Sequence, residues 1–509
     1  MPIGPLARHG RGREMGMAIA ERPTRTFRDL RDWLRRIDDL GELRVVRGAR
    51  SEDEIGMATE LAGRVHGTPA LLFDEIPGYK KGFRVLSNGL GWFPRLALTL
   101  GLDPKMSPEG LVRAWQKRVS EGITPIPSVE VKDGPIFENV KRGADVDMTI
   151  FPAPKWHEND GGRYIGTGSF DITRDPDNGW VNLGCYRVMV HDKNKLGFYI
   201  SPGKHGRMHR DAWLGRGEKM PIAFVAGGDP LLFLAAATEV QFGLTEYDWA
   251  GGVRGEPYRV VKGPVTGLPL PAEAEIVIEG WVDPKEKIVE GPFGEWTGYY
   301  ASDARPEPFM QVEALYHRND PILLGSPPNQ PPDEQSFYRA FLRSALLRSE
   351  LEAVGVPGIK GVWCHEVGGS RLFNAVSIEQ RYAGHARQVG HLAATVHAGA
   401  YLGRYVIVVD DDIDVMDLND VVWAMSTRSD PVESIDIIKR AWSGPLDPRI
   451  PKDRKGHSSR AIIDATRPFE WRADFPPVNT PSAEVKQKAK EKFGYLLRNE
   501  PHPSDGKLS

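Results

Sequence analysis

The sequence predicts a multidomain protein of mixed α+β and α/β class, in which a central β-barrel or curled sheet lies between N-terminal and C-terminal α/β domains. Three observations predict it. The 509 residues exceed what one core organises and suggest about three domains. Helical and strand-like patterns alternate near both ends of the chain, as in α/β units. Between them, from residue 128, apolar runs are joined by turn chemistry such as Asp175-Pro-Asp-Asn-Gly179 and Asp192-Lys-Asn194, the texture of antiparallel strands.

Taken in order, residues 1–25 form an Arg-rich, loose tail without the apolar segment of a secretory signal. Thr26 is placed to cap a helix carrying Phe27, Leu30, Leu34 and Ile37 at helical spacing, which Gly41 ends before a strand at 43–46. Ser51 and Glu54 have the spacing of a capping box for a second helix through Val65. Strands at 70–73 and 83–86 and helices at 93–100 and 107–119 complete a domain over 26–122, closed by the Pro-rich linker 123–127. A second domain spans 128–320, with strands at 164–173, 180–191, 196–200, 258–261, 275–282 and 310–317 and apolar helices at 231–237 and 245–253. A long helix at 333–352 opens a third domain over 333–465, in which strands 362–367 and 405–409 alternate with helices 385–396 and 418–425. An extension over 474–509 ends in a helix at 483–497, a tail suited to packing on a neighbouring copy.

Composition excludes several classes. A formal net charge of -3 with 27% charged residues offers no general surface for nucleic acid. No apolar run approaches the roughly 20 residues of a membrane span. Cys185 and Cys364 are the only cysteines, too few for a disulfide framework or a thiolate zinc site, which fits a reducing cytoplasm. Walker A, G-x-S-x-G and Rossmann glycine motifs are absent in suitable context.

The chain is organised around Glu290-Gly-Pro-Phe-Gly-Glu295-Trp-Thr-Gly298-Tyr-Tyr300. Pro292 and Gly294 keep this stretch out of regular structure, so two carboxylates sit five residues apart on a stiff turn, an arrangement that can separate an ionised acid from a protonated one. Phe293, Trp296, Tyr299 and Tyr300 argue that part of the turn is buried. Asn182 and Arg187 fall on one expected strand and would share a pocket only across a bulge at Gly184. Arg187 beside the two acids is either a structural ion pair or a guanidinium fork for a substrate carboxylate. His205 and His209, four apart on a helix, are either divalent-ion ligands or surface residues. Glu246 either binds a cation or stabilises a helix N-terminus. The run Asp410-Asp-Asp-Ile-Asp414 either attracts a cation or caps the turn after a strand.

Glu-Gly-Pro-Phe-Gly-Glu-x-x-Gly-Tyr at 290–299, with Asn182-x-x-x-x-Arg187, Met189-Val-His-Asp-Lys-Asn194 and Thr245-Glu246, closely resembles the UbiD-type decarboxylases, including the fungal ferulic acid decarboxylases, over about residues 26–465. The resemblance implies that the central domain is a split β-barrel of flavin-reductase type and that the C-terminal domain makes the contact of a homodimer or higher oligomer. It implies prenylated FMN, supplied by a separate flavin prenyltransferase, with Mn²⁺ or Mg²⁺ and K⁺ at its phosphate. Carried over by position, Asn182, His205 and Glu246 match the metal ligands. Thr167, Asn182, Arg187, Lys204, His205 and Glu246 match cofactor-binding positions, and Arg187, Glu290 and Glu295 match the catalytic network. Near Tyr401 the ferulic-type enzymes carry a lysine where this chain has Ala398, with His397 beside it.

The implied reaction is reversible, non-oxidative decarboxylation of an aromatic, heteroaromatic or α,β-unsaturated acid. Physical reasoning agrees with a cofactor. A positioned acid or base contributes about 3 to 5 kcal/mol of the 8 to 23 that enzymes typically supply, so loss of CO₂ from an sp² carbon needs an organic electron sink. In that scheme Arg187 grips the carboxylate, Glu290 orients Arg187 and Glu295 delivers the proton. Residues 327–334 and those around Tyr401 are candidates for the pocket wall. Two other readings stand beside this one: metal-assisted hydrolysis through His205, His209 and a glutamate, and a non-catalytic flavin-binding protein.

Overall fold

The computed structural model describes residues 27–238 and 240–497. The expected tail 1–25, Thr26 and residues 498–509 of the C-terminal extension lie outside the described residues. Asp29 caps the first helix, Leu30–Asp39, its carboxylate accepting from the Asp32 amide, while Leu30, Trp33, Leu34 and Ile37 bury one face. The capping box expected at Ser51 and Glu54 does not form. The helix Glu54–Gly63 starts behind Asp53 with no side-chain cap, because the Ser51 hydroxyl turns to Glu52 and the Glu54 carboxylate accepts from the Arg50 amide instead.

Strands Leu43–Arg47, Ala70–Asp74 and Arg84–Ser87 form a small sheet, and its fourth strand is Ile322–Leu324 from more than 230 residues downstream. That pairing ties the N-terminal layer to the far end of the central region. It brings residues 325–333 against the strands that carry the candidate site.

The central region is a nine-stranded sheet. Along its main path the order is Arg163–Gly166, Arg187–Val190, Lys195–Tyr199, Phe309–His317, Ile276–Val282, Met220–Ala226, Ser169–Arg174 and Val181–Gly184, with Asn139–Arg142 paired to Phe309–His317. Every pairing in it is antiparallel. The first and seventh strands of this path are joined by Thr167 and Gly168 alone, a reach of roughly 10 Å. Six strand spacings in a flat sheet would separate them by about 29 Å. The sheet therefore curls until its two ends approach. A second short link, Cys185 and Tyr186, crosses between the same ends.

That second crossing corrects the sequence reading. Asn182 and Arg187 do not share one strand with a bulge at Gly184. The chain leaves one end of the sheet after Gly184 and enters the other at Arg187. Gly184 is required there for a different reason, since a β-carbon on it would lie 2.3 Å from the Tyr186 hydroxyl. The expected strand 164–173 is likewise two strands, divided at Thr167 and Gly168.

The third region opens with helix Glu334–Ala353, capped reciprocally by Asp333 and Ser336. Its five-stranded sheet runs Ile359–Cys364, Phe373–Ile378, Tyr405–Asp410, His457–Ala465, Ile435–Trp442, with helices His385–Ala393 and Leu418–Arg428 packed on it. The strands at 373–378, 435–442 and 457–465 were not anticipated. The closing helix Ala483–Leu497 exposes its side chains over 484–493. Among the described residues no helix is long and apolar enough to cross a membrane.

Candidate active site

Arg187 opens its strand directly after the crossing, and Glu290 closes the short strand Ile288–Glu290. The two meet edge to edge: Arg187 Nε donates to Glu290 Oε1 and Nη2 donates to Glu290 Oε2, both at 2.8 Å. Arg187 Nη1 donates to Glu295 Oε1 at 2.6 Å. The Arg187 guanidinium also packs over the rings of Tyr199 and Phe293, at 5.2 and 5.5 Å. The guanidinium side chain is 7% exposed, that of Glu290 0% and that of Glu295 11%. One guanidinium thus joins two acids in different surroundings.

The electrostatics follow from burial and pairing. Burial works against the Arg187 charge, but the Glu290 hydrogen bonds and the two carboxylates outweigh it and hold the guanidinium firmly protonated. Burial raises Glu295 above the ordinary carboxylate range, and its contact with Arg187 only partly offsets that. The Tyr164 hydroxyl donates to Glu290 Oε1 at 3.3 Å, adding a neutral donor to the buried acid. Of the loop aromatics, Phe293 is buried as expected, whereas Tyr299 and Tyr300 are 62% and 40% exposed. Phe293 alone of the four supplies the buried apolar anchor, packing 4.2 Å from the Tyr164 ring.

Residues that the sequence reading missed hold this loop in place. Asp160 Oδ1 accepts from the Gly294 amide at 3.1 Å and from the Tyr300 hydroxyl at 3.4 Å, while Oδ2 accepts from the His157 amide. The His157 ring lies 3.0 Å from Asp160 through Nδ1 and 3.0 Å from Asn329 Oδ1 through Nε2, and Asp160 outweighs burial to raise its pKa. Gly161 donates to the Pro292 carbonyl, and a β-carbon there would sit 2.1 Å from the Gly291 oxygen. The signal in the sequence was His157-Glu-Asn-Asp160-Gly-Gly, a turn whose acid looks solvated until its partner loop is known.

A second cluster surrounds strand Val181–Gly184. Asn182 is buried and its Nδ2 has no hydrogen-bond partner. Glu246, at the start of helix Glu246–Arg254, accepts from the Leu183 amide at 2.7 Å, and burial pushes its carboxyl up to about 8. The helix His205–Gly215 is tied to the crossing by the Gly206 amide donating to Tyr186 Oη at 3.0 Å. Burial keeps the His205 imidazole below its ordinary pKa. Trp180 packs edge-on against both His205 and His209. A cleft of about 360 Å³ opens beside this cluster, lined in part by Trp180, Val181 and Thr245. His209 is buried, with Nδ1 at 3.0 Å from the Thr173 hydroxyl. Buried polar atoms without partners also include Trp180 Nε1, Thr245 Oγ1 and His209 Nε2. Among the described residues no three His, Cys, Asp or Glu side chains group as a metal site.

Thr167, in the first short link, accepts from the Ser326 amide at 3.1 Å, and Lys204 is exposed at the cap of helix His205–Gly215. Ala398 is buried, its amide donating to Glu350 and its carbonyl accepting from Arg343. The acidic run takes the structural alternative: Asp410 and Asp412 both accept from Arg428, and Arg467 pairs with each.

Three family models describe the N-terminal, Rift-related and C-terminal domains of 3-octaprenyl-4-hydroxybenzoate carboxy-lyase, and they match residues 34–115, 128–331 and 336–465. The chain belongs to this family, the UbiD family of carboxy-lyases. Pyrrole-2-carboxylic acid decarboxylase of Pseudomonas aeruginosa is 33% identical over 464 residues, 87% of this chain and 92% of the relative. Among solved structures, the UbiD-class enzyme HmfF of Pelotomaculum thermopropionicum in complex with FMN superposes with a TM-score of 0.80 at 30% identity, covering 90% of this chain and 98% of that one. An evolved dimeric form of HmfF in complex with prFMN gives 0.75 at 28% identity, again covering 90% and 98%.

Proposed function

We propose that this protein is a reversible, non-oxidative decarboxylase of an aromatic, heteroaromatic or α,β-unsaturated carboxylic acid, working with prenylated FMN in a reducing cytoplasm. The observation that carries the reading is the buried Glu290–Arg187–Glu295 network, in which one acid fixes the guanidinium and the other keeps a raised pKa. Family membership and the flavin-bound neighbours support it. When bound, prenylated FMN supplies the electron sink that side chains lack.

The chain's own residues divide the remaining work. Glu290 occupies the side-on edge of Arg187, so the two-point fork expected for the substrate goes to Glu290. A guanidinium has five N–H groups, and three are engaged here, leaving one on each terminal nitrogen to orient the substrate carboxylate. Glu295, held at Nη1 with a raised pKa, delivers the proton to the carbon that loses CO₂.

The second cluster fits a divalent ion. Asn182, a neutral His205 and Glu246 make a mixed N/O donor set suited to Mn²⁺, or less easily Mg²⁺, and a carboxyl raised to about 8 by burial is one that a cation would return to its charged form. Buried polar atoms without partners at Asn182, Thr245 and Trp180 match a site that receives a polar group such as the cofactor phosphate, with K⁺ as its second counter-ion. Thr167 and Lys204 would flank it, and the curled sheet would be the flavin-reductase type of split barrel. Ala398 stands where the ferulic-type enzymes carry a lysine, and Arg343 donates to its carbonyl. A flavin prenyltransferase would supply the cofactor, and the C-terminal region would pair copies into a homodimer or larger assembly. The hydrolytic reading needs His209 on the ion; its Nδ1 is engaged with Thr173, and Nε2 is the ring nitrogen without a partner.

The test is co-expression with a flavin prenyltransferase, followed by absorbance and mass of the bound cofactor and CO₂ release from a panel of aryl and acrylic acids. A prenylated flavin with turnover is expected. Flavin without turnover on any acid would leave a binding protein, and hydrolysis without flavin would overturn the reading.

A further inference from the structure

The acid loop and the segment 325–333 come from different parts of the chain, yet they meet at two places. At Gly298 a β-carbon would lie 3.0 Å from the Gln330 Cα. At Gly294, the residue before Glu295, it would lie 2.9 Å from His157 Nδ1. The His157 ring is therefore laid directly on the loop, with Phe293 packed edge-on against it at 5.6 Å.

The hydrogen bonds around that ring fix its protonation. Nδ1 faces Asp160 Oδ2 at 3.0 Å and Nε2 faces Asn329 Oδ1 at 3.0 Å. Asp160 is buried, and its other partners are donors, the Gly294 and His157 amides and the Tyr300 hydroxyl, so it acts as an ionised acceptor. Asn329 turns its Nδ2 to the Pro327 carbonyl at 3.3 Å, which leaves its amide oxygen toward the ring. A neutral imidazole carries a single N–H and would set a lone pair against one of these two oxygens. Two N–H groups satisfy both, and His157 is then an imidazolium.

Its surroundings agree. Burial works against the charge, but Asp160, then Asn329, and then Glu60 of helix Glu54–Gly63 outweigh it. Arg64 holds Glu60 at 3.0 Å and reaches Gln330 at 2.7 Å. On the far side the Asn329 amide donates to Asp333 Oδ2 at 2.9 Å, where helix Glu334–Ala353 begins. The line Gly294–Asp160–His157–Asn329–Asp333 ties the loop carrying Glu295 to the start of the third region.

We propose that His157, as an imidazolium, is a positioning residue that clamps the acid loop to the segment 325–333, and that the clamp opens when the ring loses its proton. This rests on the decarboxylase reading above and deepens it. As pH rises through the raised pKa of the ring, Nε2 gives its proton to water, and the proton that remains stays on Nδ1 beside the Asp160 charge. Nε2 then turns a lone pair to Asn329 Oδ1. The Asp160 end holds while the Asn329 end lets go.

The test follows amide hydrogen exchange of the full chain, loaded with flavin by co-expression, across pH, with rates corrected for the intrinsic pH dependence of exchange. Protection of the Asn329 and Gln330 amides should hold below the raised value and fall about tenfold as pH rises through it, the loss of one charge-assisted hydrogen bond, while strand Ile276–Val282 stays constant. His157→Phe keeps a ring against Phe293 and Gly294 but offers no donor. In it those two amides should exchange fast at every pH, and kcat should fall about tenfold with the alkaline limb that belongs to Glu295 retained. Asn329→Asp, which gives Nε2 a charged acceptor, should move the step to higher pH. A flat profile in the parent protein, a step that persists in His157→Phe, or one that Asn329→Asp leaves in place would overturn the proposal. The step with no CO₂ released from any acid would uphold this inference and sink the decarboxylase reading. Turnover with a flat exchange profile would do the reverse.

Discussion

Arg187 and Glu290 exchange two hydrogen bonds in a place almost closed to water, and their worth to the fold is therefore asymmetric. Removing one partner strands a buried charge, so Glu290→Gln is expected to destabilise the protein by about 3–5 kcal/mol in urea unfolding. Replacing both residues by methionine should cost less than the sum of the single changes, because neither member of the pair is then left buried without the other. Glu295 carries the pH dependence. Its folded pKa is raised, so the folded state holds a proton that the unfolded chain has released between the ordinary carboxylate value and the raised one. Both the stability it lends and its proton-donating form are present below that window and decline as pH rises through it. kcat should accordingly fall on the alkaline side of the raised value in a pH–rate profile.

At the scale of elements, the site depends on a loop that has few anchors of its own. The loop holding Glu295 is pinned through Asp160, which gathers the Gly294 amide, the Tyr300 hydroxyl and His157. Asp160→Ala should release it and lower kcat about 100-fold, the usual cost of displacing a reacting group by about an ångström. Faster hydrogen exchange over 292–300 with unchanged exchange in the sheet would mark it as a positioning effect.

Elements also show what could be read in advance. The acid loop was legible because its meaning is local: two glutamates, a proline and glycines within a few residues fix their own spacing. Helix Glu334–Ala353 was legible because Asp333 announces it and a long run free of glycine and proline continues it. The crossing at Cys185 and Tyr186 was not, because an apolar run passing from one end of a curled sheet to the other has the same pattern as a single strand. The third-domain strands at 435–442 and 457–465 were hidden by polar, half-exposed sequence.

For the molecule as a whole, two ends of one sheet and a strand from residues 322–324 converge so that the Arg187–Glu290–Glu295 network and the cluster around Asn182 and Glu246 lie on opposite sides of the same short crossing. Asn182 is five residues from Arg187 in sequence, yet each belongs to a different end of the sheet. The metal, on the proposed reading, joins strand Val181–Gly184 to two helices. Mn²⁺ should therefore raise the thermal midpoint of the whole protein, and chelation should lower it along with activity. His205→Ala should abolish the Mn²⁺-dependent shift as followed by calorimetry.

On the proposed reading, Glu295 gives its proton to the carbon that CO₂ has left. Incubating the flavin-loaded protein in D₂O with a substrate acid, or with the decarboxylated product for the reverse direction, measures that transfer as deuterium at that carbon. The wild type should exchange readily, and Glu295→Gln should bind the same cofactor while its exchange falls by about 10²- to 10⁴-fold. Deuterium incorporated by Glu295→Gln at the wild-type rate would contradict the assignment.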